Sequence, residues 1–204
     1  RDAASYRDTL ASNAEEYQRL ARMVSDMLFL AKADRGIALP NPEKLELSDE
    51  VSALFEFYEA VAEDLGIELT AEGHGQVFGD RLMIRRAISN LLSNALRHAE
   101  RNTKVTVAVM TRESEVTLSV SNKGTSIGRE HLSRLFDRFY RVDKARTRPE
   151  SDGAGLGLAI TSAIMQAHHG RIDVVSEAER TTFSLHFPSP ALDANHEQLL
   201  SVGR

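Results

Sequence analysis

Val105, Val107 and Val109 alternate strictly with other residues, and so do Val116, Leu118 and Val120. A period of two puts each apolar set on one face of a strand, so the two runs read as a hairpin with one face to cover. The flanking segments supply the cover. Ser48 reads as the cap of an amphipathic helix carrying Val51, Leu54, Phe55, Tyr58, Val61 and Ala62, and Asp80 as the cap of a second, running to about Ala99. Short strands are expected at Ile67–Thr70 and Gln76–Phe78. A third helix runs to His169 and stops at Gly170, and Ile172–Val175 with Thr181–Phe187 form a last hairpin. The expected fold is α+β: a two-layer α/β sandwich of one mixed, largely antiparallel sheet with helices on one face.

Residues 1–34 read as one long helix before this sandwich. Leu10, Tyr17, Val24 and Ala31 recur every seven residues, with Leu20 and Met27 three after Tyr17 and Val24. That is the seam of a helical bundle, and it calls for partner helices from elsewhere. Gly36, Pro40 and Pro42 break the helix. The chain therefore divides into residues 1–35, a linker at 36–42, a main domain at 43–188 and a little-patterned tail at 189–204. Hydrophobic residues make up 42% and charged residues 27%, enough for a packed core. A net charge of −5 argues against nonspecific nucleic-acid binding as the main task. Without cysteine there is no disulfide framework and no thiolate metal site. Apolar runs are too short to span a bilayer. Arg1 in place of Met is expected of a piece cut from a longer chain, with any membrane anchor elsewhere in it.

Candidate chemistry begins with SDGAGLGLAI, from Ser151 to Ile160. Gly153, Gly155 and Gly157 suit a phosphate site, but the third glycine comes one residue early for a dinucleotide fingerprint. A charged loop precedes them rather than a strand, and the Lys-Ser/Thr of a P-loop is missing. In SNLLSNALRH, Asn90 and Asn94 stand at i and i+4 on one helix face. They are either two solvated amides or an amide oxygen placed to hold a hard cation such as Mg²⁺ together with phosphate oxygens. Arg97 and His98 follow one turn on, where they could meet phosphate or a base. VSNKGTSI ends a strand, with Gly124 permitting a tight turn after Asn122. In LFDRFYRVD, Phe136, Phe139 and Tyr140 alternate with Arg138 and Arg141, which also suits a helix end. Residues 142–154 are basic and short of apolar anchors, the composition of a movable flap. His168 and His169 could bind metal, but a helix C-terminus favours histidine for dipole reasons.

Taken in order, these segments resemble sensor histidine kinases of two-component systems, over about residues 43–188. SNLLSNALRH resembles the N box, VSNKGTSI a variant G1 box, LFDRFYR the F box and GAGLGL the G2 box. YQRLARMVSDMLFLAKAD resembles the second helix of the dimerisation and phosphotransfer domain. That segment and FDRFYRVD are most similar to copper- or heavy-metal-responsive kinases. The resemblance implies the ATP-binding sandwich shared with gyrase, Hsp90 and MutL, with ATP and Mg²⁺ bound. It implies Asn94 as the magnesium ligand, Asn90 in support, Arg97 in place of a phosphate-binding Lys and His98 in place of a Tyr beside the nucleotide, with Asn94 and Arg97 serving catalysis. Asn122, Gly124, Ile127, Phe136, Arg138, Tyr140, Gly153, Gly155, Leu156, Gly157 and Leu158 complete the implied nucleotide site. Two positions depart from the pattern. Asn122 stands where the family usually has Asp, and Ser126 where it has a second glycine.

The same resemblance implies an ATP-dependent protein-histidine kinase rather than an ATPase. Gyrase-type enzymes carry a water-activating Glu where this chain has Asn90, which is no general base. None of the seven histidines lies in the His-Glu/Asp-x-x-Thr/Asn-Pro setting of a phosphoacceptor, so the acceptor is expected upstream. The implied partners are ATP, a response regulator and a second copy in the full-length protein. The implied location is the cytoplasmic side of a bacterial inner membrane, which the chain itself does not touch. The competing reading is an ATP-binding regulatory module of the same fold that acts by binding another protein.

Overall fold

The computed structural model describes residues 3–36, 38–142 and 154–189. In chain order the elements are α1 (Ala3–Ala33), β1 (Pro42–Glu46), α2 (Leu47–Leu65), β2 (Glu68–Gly73), β3 (Gln76–Asp80), α3 (Arg81–His98), β4 (Lys104–Thr111), β5 (Glu115–Lys123), α4 (Arg129–Leu132), α5 (Gly157–Ala167), β6 (Arg171–Glu177) and β7 (Arg180–Pro188).

The alternating runs form the expected hairpin, β4 against β5, with Val107 opposite Val120 and Val109 opposite Leu118. β7 extends the sheet antiparallel to β5, β6 pairs with β7, and β2 joins β4 in parallel, in the order β2-β4-β5-β7-β6. One face carries Val105, Val107, Val116, Leu118, Phe183, Leu185 and Phe187, all buried. Beneath them lie Ile84, Ile88, Leu91 and Leu92 of α3 and Ile160, Ile164 and Met165 of α5. The other face is polar. Hydroxyl pairs cross it between strands: Thr70–Thr106 at 3.0 Å, Ser119–Ser184 at 3.1 Å and Ser121–Thr182 at 2.8 Å. The fold is thus the two-layer α+β sandwich preceded by a long helix.

Two local expectations change. β1 pairs antiparallel with β3 in a separate two-stranded sheet, so a strand begins in what reads as linker. The cap of α2 is not Ser48. The helix starts at Leu47 with Glu46 in the cap position, and no side chain caps it. Glu46 Oε1 instead accepts from Gly75 N–H at 2.7 Å and from Ser48 Oγ at 3.3 Å. Leu47 is fully buried, and starting the helix there places it in the core. Asp80 does cap α3: its Oδ1 accepts from Met83 N–H at 3.0 Å and its Oδ2 from Asn41 N–H at 3.1 Å.

α1 meets the sandwich along one side. Leu30 is buried, and Arg86 of α3 pairs with Asp26 while lying 4.7 Å over the Phe29 ring. The seam faces away: Leu10 is 67% and Tyr17 72% exposed, and Leu20, Val24 and Met27 are also exposed. No helix among the described residues is long and apolar enough to cross a membrane.

Candidate functional site

α3 is the spine of the site. Asn90, Asn94 and His98 step by four along one face, and each end of that row touches a different loop. Asn90 Nδ2 donates to the Gly157 carbonyl at 3.0 Å and to Thr161 Oγ1 at 3.3 Å. Thr161 Oγ1 donates to the same carbonyl at 2.9 Å. A carbonyl can only accept, so it fixes which way the Asn90 amide points. At the other end, a Cβ on Gly124 would lie 2.2 Å from the His98 carbonyl oxygen. Gly124 therefore allows β5 to close on the end of α3, and this close approach is what demands glycine there. Asn94 sits midway, about 6 Å along the axis from each end. It is half-buried and makes no side-chain hydrogen bond among the described residues. Arg97 and His98 lie on the exposed last turn.

Asn122, near the end of β5, is only 4% exposed, facing Val105 of β4 and Thr181 of β7 across the strands. Its amide has no hydrogen-bond partner among the described residues. The hydroxyls beside it are engaged: Thr181 Oγ1 lies 2.8 Å from Ser176 Oγ, which accepts from Ile127 N–H at 2.8 Å. The following loop is tied to the β6–β7 turn. Gly124 N–H donates to the Glu179 carbonyl at 2.8 Å, and Ser126 Oγ accepts from Glu179 N–H at 3.1 Å. Ser126 thus holds that turn, in which Ala178 and Glu179 both take left-handed φ values of 49° and 60°.

The glycines at the start of α5 have different tasks. Gly155 has φ +72°, its carbonyl accepts from Phe139 N–H at 3.0 Å, and a Cβ on it would lie 3.0 Å from the Phe139 carbonyl carbon. It joins the glycine loop to the segment after α4. Among the described residues, a Cβ on Gly157 would meet only the Asn90 side chain, nearest at Cγ, 3.6 Å away, an ordinary contact. Among the described residues nothing requires glycine there. α5 begins without a side-chain cap and without an acidic residue in its first turn, so no described side chain takes up its leading N–H groups. Leu156 is buried and Leu158 half-buried behind them. Gly157→Ala is therefore expected to keep or slightly raise the melting temperature, since alanine gains about 0.5–1 kcal/mol in a helix. It should nonetheless weaken binding of any phosphate ligand on those N–H groups. Gly155→Ala should lower stability by about 1–2 kcal/mol. Thermal melts and a nucleotide titration on both variants check the division.

LFDRFYR forms turns rather than a helix end. Phe136 and Tyr140 pack on the core, Tyr140 Oη lies 2.6 Å from His131 Nδ1, and Arg134 lies 4.4 Å over the Tyr140 ring. Arg138 pairs with Asp34 at the end of α1. Gly153 and residues 143–153 of the expected flap lie outside the described residues. His168 is structural: its Nε2 accepts from Asp80 N–H at 3.0 Å and its Nδ1 donates to the Ile164 carbonyl at 2.8 Å. Burial pushes its pKa below the usual histidine value, so it braces the start of α3 against the end of α5 as a neutral ring. Among the described residues no cluster of three His, Asp or Glu side chains could hold a metal ion. Thr161, Ser176 and Thr181 are additions that sequence reasoning missed. The only signal was a hydroxyl at positions whose periodicity is otherwise apolar.

Comparison with known proteins bears on this arrangement. Residues 79–191 match the family described as histidine kinase-, DNA gyrase B-, and HSP90-like ATPase. The sensor histidine kinase CusS of Escherichia coli K12 is 51% identical over 183 residues, covering 89% of this chain and 38% of CusS. The sensor protein IrlS of Burkholderia pseudomallei is 43% identical over 192 residues, covering 94% of this chain and 41% of IrlS. The chain thus spans about two fifths of the length of these curated relatives. Among solved structures, the Acinetobacter baumannii histidine kinase AdeS superposes with a TM-score of 0.73 at 21% identity, covering 93% of this chain and 86% of that one. Full-length ShkA in complex with AMPPNP gives 0.79 at 23% identity, covering 92% of this chain and 40% of that one. At such identities the superpositions speak to fold.

Proposed function

The chain belongs to the family of histidine kinase-, DNA gyrase B- and HSP90-like ATPases, and from that premise we propose that its site binds Mg–ATP and presents the γ-phosphate to a histidine in a two-component sensor kinase. The observation that carries this is the row along α3. One end meets the uncapped start of α5, the other meets the Gly124 loop beside a buried, unpartnered Asn122, and the unpartnered Asn94 lies between. A Mg–nucleotide has that layout, with a base at one end to be read by hydrogen bonds and, beyond the sugar, phosphates to be met by a metal and by N–H groups.

In this reading Asn122 meets the base, with Gly124 and Ile127 shaping the loop beside it. The α5 N–H groups at Gly157 and Leu158 meet phosphate oxygens, and Arg97 adds a cation at the exposed end of α3. Asn94 Oδ1 would hold Mg²⁺, which when bound neutralises phosphate charge. Asn90 orients the start of α5 through Gly157 and does not touch the reacting atoms. It has no proton-accepting role, because an amide is not a base and its NH₂ is engaged. Transfer then rests on positioning of phosphate and acceptor, and hydrolysis by water is disfavoured. The acceptor is not among the seven histidines of this chain, none of which has a phosphoacceptor's neighbours. The exposed seam of α1 supports a bundle, with a second copy as partner in the longer protein. A response regulator as final acceptor, a copper or heavy-metal signal and a place on the cytoplasmic side of a bacterial inner membrane extend the same proposal. They are supported by the sensor kinases it resembles and by the similarity of FDRFYRVD. Calorimetric titration with ATP tests the site: saturable 1:1 binding is expected with Mg²⁺, weakened by about tenfold or more with EDTA. Binding indifferent to Mg²⁺, or none, would refute it.

A further inference from the structure

We infer that Asn122 makes this site permissive for 6-oxopurine nucleotides as well as for ATP. The inference rests on the assignment of the base to Asn122 and deepens it. Adenine offers a donor at its exocyclic amine and an acceptor at N1, whereas hypoxanthine and guanine offer an acceptor at O6 and a donor at N1. A carboxamide carries one acceptor and one donor side by side, so a half-turn about its terminal torsion matches either edge. A carboxylate, which only accepts, would set one oxygen against O6.

Such a half-turn is open only if the protein does not hold the amide in one sense. Asn90 shows what holding looks like, with its NH₂ turned onto the Gly157 carbonyl. Asn122 has no such anchor among the described residues, although only 4% of it is exposed. Its cross-strand neighbours leave the choice open. Val105 has no polar side-chain atom, and the Thr181 hydroxyl is paired with Ser176 Oγ, which also takes Ile127 N–H. Two residues further along the chain stands Gly124, where a Cβ would come within 3.3 Å of Asn122 Nδ2. The missing side chain leaves the amide clearance to rotate. The bound base therefore sets the amide's orientation.

The test is displacement of a fluorescent trinitrophenyl-ATP probe by ATP and by inosine triphosphate, with Mg²⁺, on the native chain and on Asn122→Asp. Inosine triphosphate changes the 6-position without adding a 2-amino group. On the native chain it should compete within about tenfold of ATP, and the aspartate variant should widen the gap by a further tenfold or so. Native chain that binds ATP but refuses inosine triphosphate would overturn the inference, and this ratio decides even if the variant fails to fold. A native chain that binds neither would overturn the base-site reading and the inference with it, a failure distinct from the first.

Discussion

Asn94→Ala is expected to abolish Mg²⁺-dependent ATP binding while leaving the melting temperature almost where it was. The two halves of this outcome come from one observation. Asn94 makes no side-chain hydrogen bond among the described residues, so truncation breaks none that they supply. Alanine is the better helix former in the interior of α3, which shifts stability by about half a kcal/mol at most, in the favourable direction. The metal-ligand role proposed for Asn94, by contrast, is lost outright when the amide is cut back to a methyl group. Loss of affinity should exceed the ten- to hundredfold, roughly, seen for residues that only support a ligand. Asn90→Ala makes the control: it removes two hydrogen bonds to the start of α5 and should cost about 1–2 kcal/mol. Calorimetry with Mg–ATP and thermal melts on both variants read the contrast. Unchanged affinity in Asn94→Ala would show that the metal is held elsewhere.

What the sequence discloses here, and what it hides, follows the range of the interactions. The i, i+4 pair of asparagines, the alternating valines and the Asp80 cap are local patterns, legible because helix and strand periods dictate them. The glycine loop is legible as a loop, but the separate tasks of Gly155 and Gly157 are not. Gly155 answers to Phe139, sixteen positions earlier, whereas at Gly157 no described neighbour comes close enough to demand glycine. Gly124 likewise reads as a turn residue until the carbonyl of His98 is seen against it. β1 escapes notice because its five residues, PEKLE, bury one side chain fully and gain their pairing only from β3. The start of α2 is misread at Ser48 because Glu46 is drawn to Gly75 by tertiary contact, which overrides the local capping signal. Thr161 carries no motif, and its hydroxyl matters only because Asn90 reaches it from another helix.

The most direct test of the account is where the γ-phosphate goes. On the proposed reading the chain holds what positions ATP but no histidine with an acceptor's neighbours. Of those described, His168 is bonded at both ring nitrogens, His186 sits between Glu115 and Asp173, and His131 lies against Tyr140. Asn90 takes no proton from water, so bound ATP should persist rather than turn over. Incubated with γ-labelled ATP and Mg²⁺, this chain should stay unlabelled. Acid-labile, alkali-stable label should appear only when a helix bearing a His-Glu/Asp-x-x-Thr/Asn-Pro sequence is supplied, and on that helix. Acid-labile label on this chain by itself would show that one of its seven histidines is the acceptor and would contradict the account.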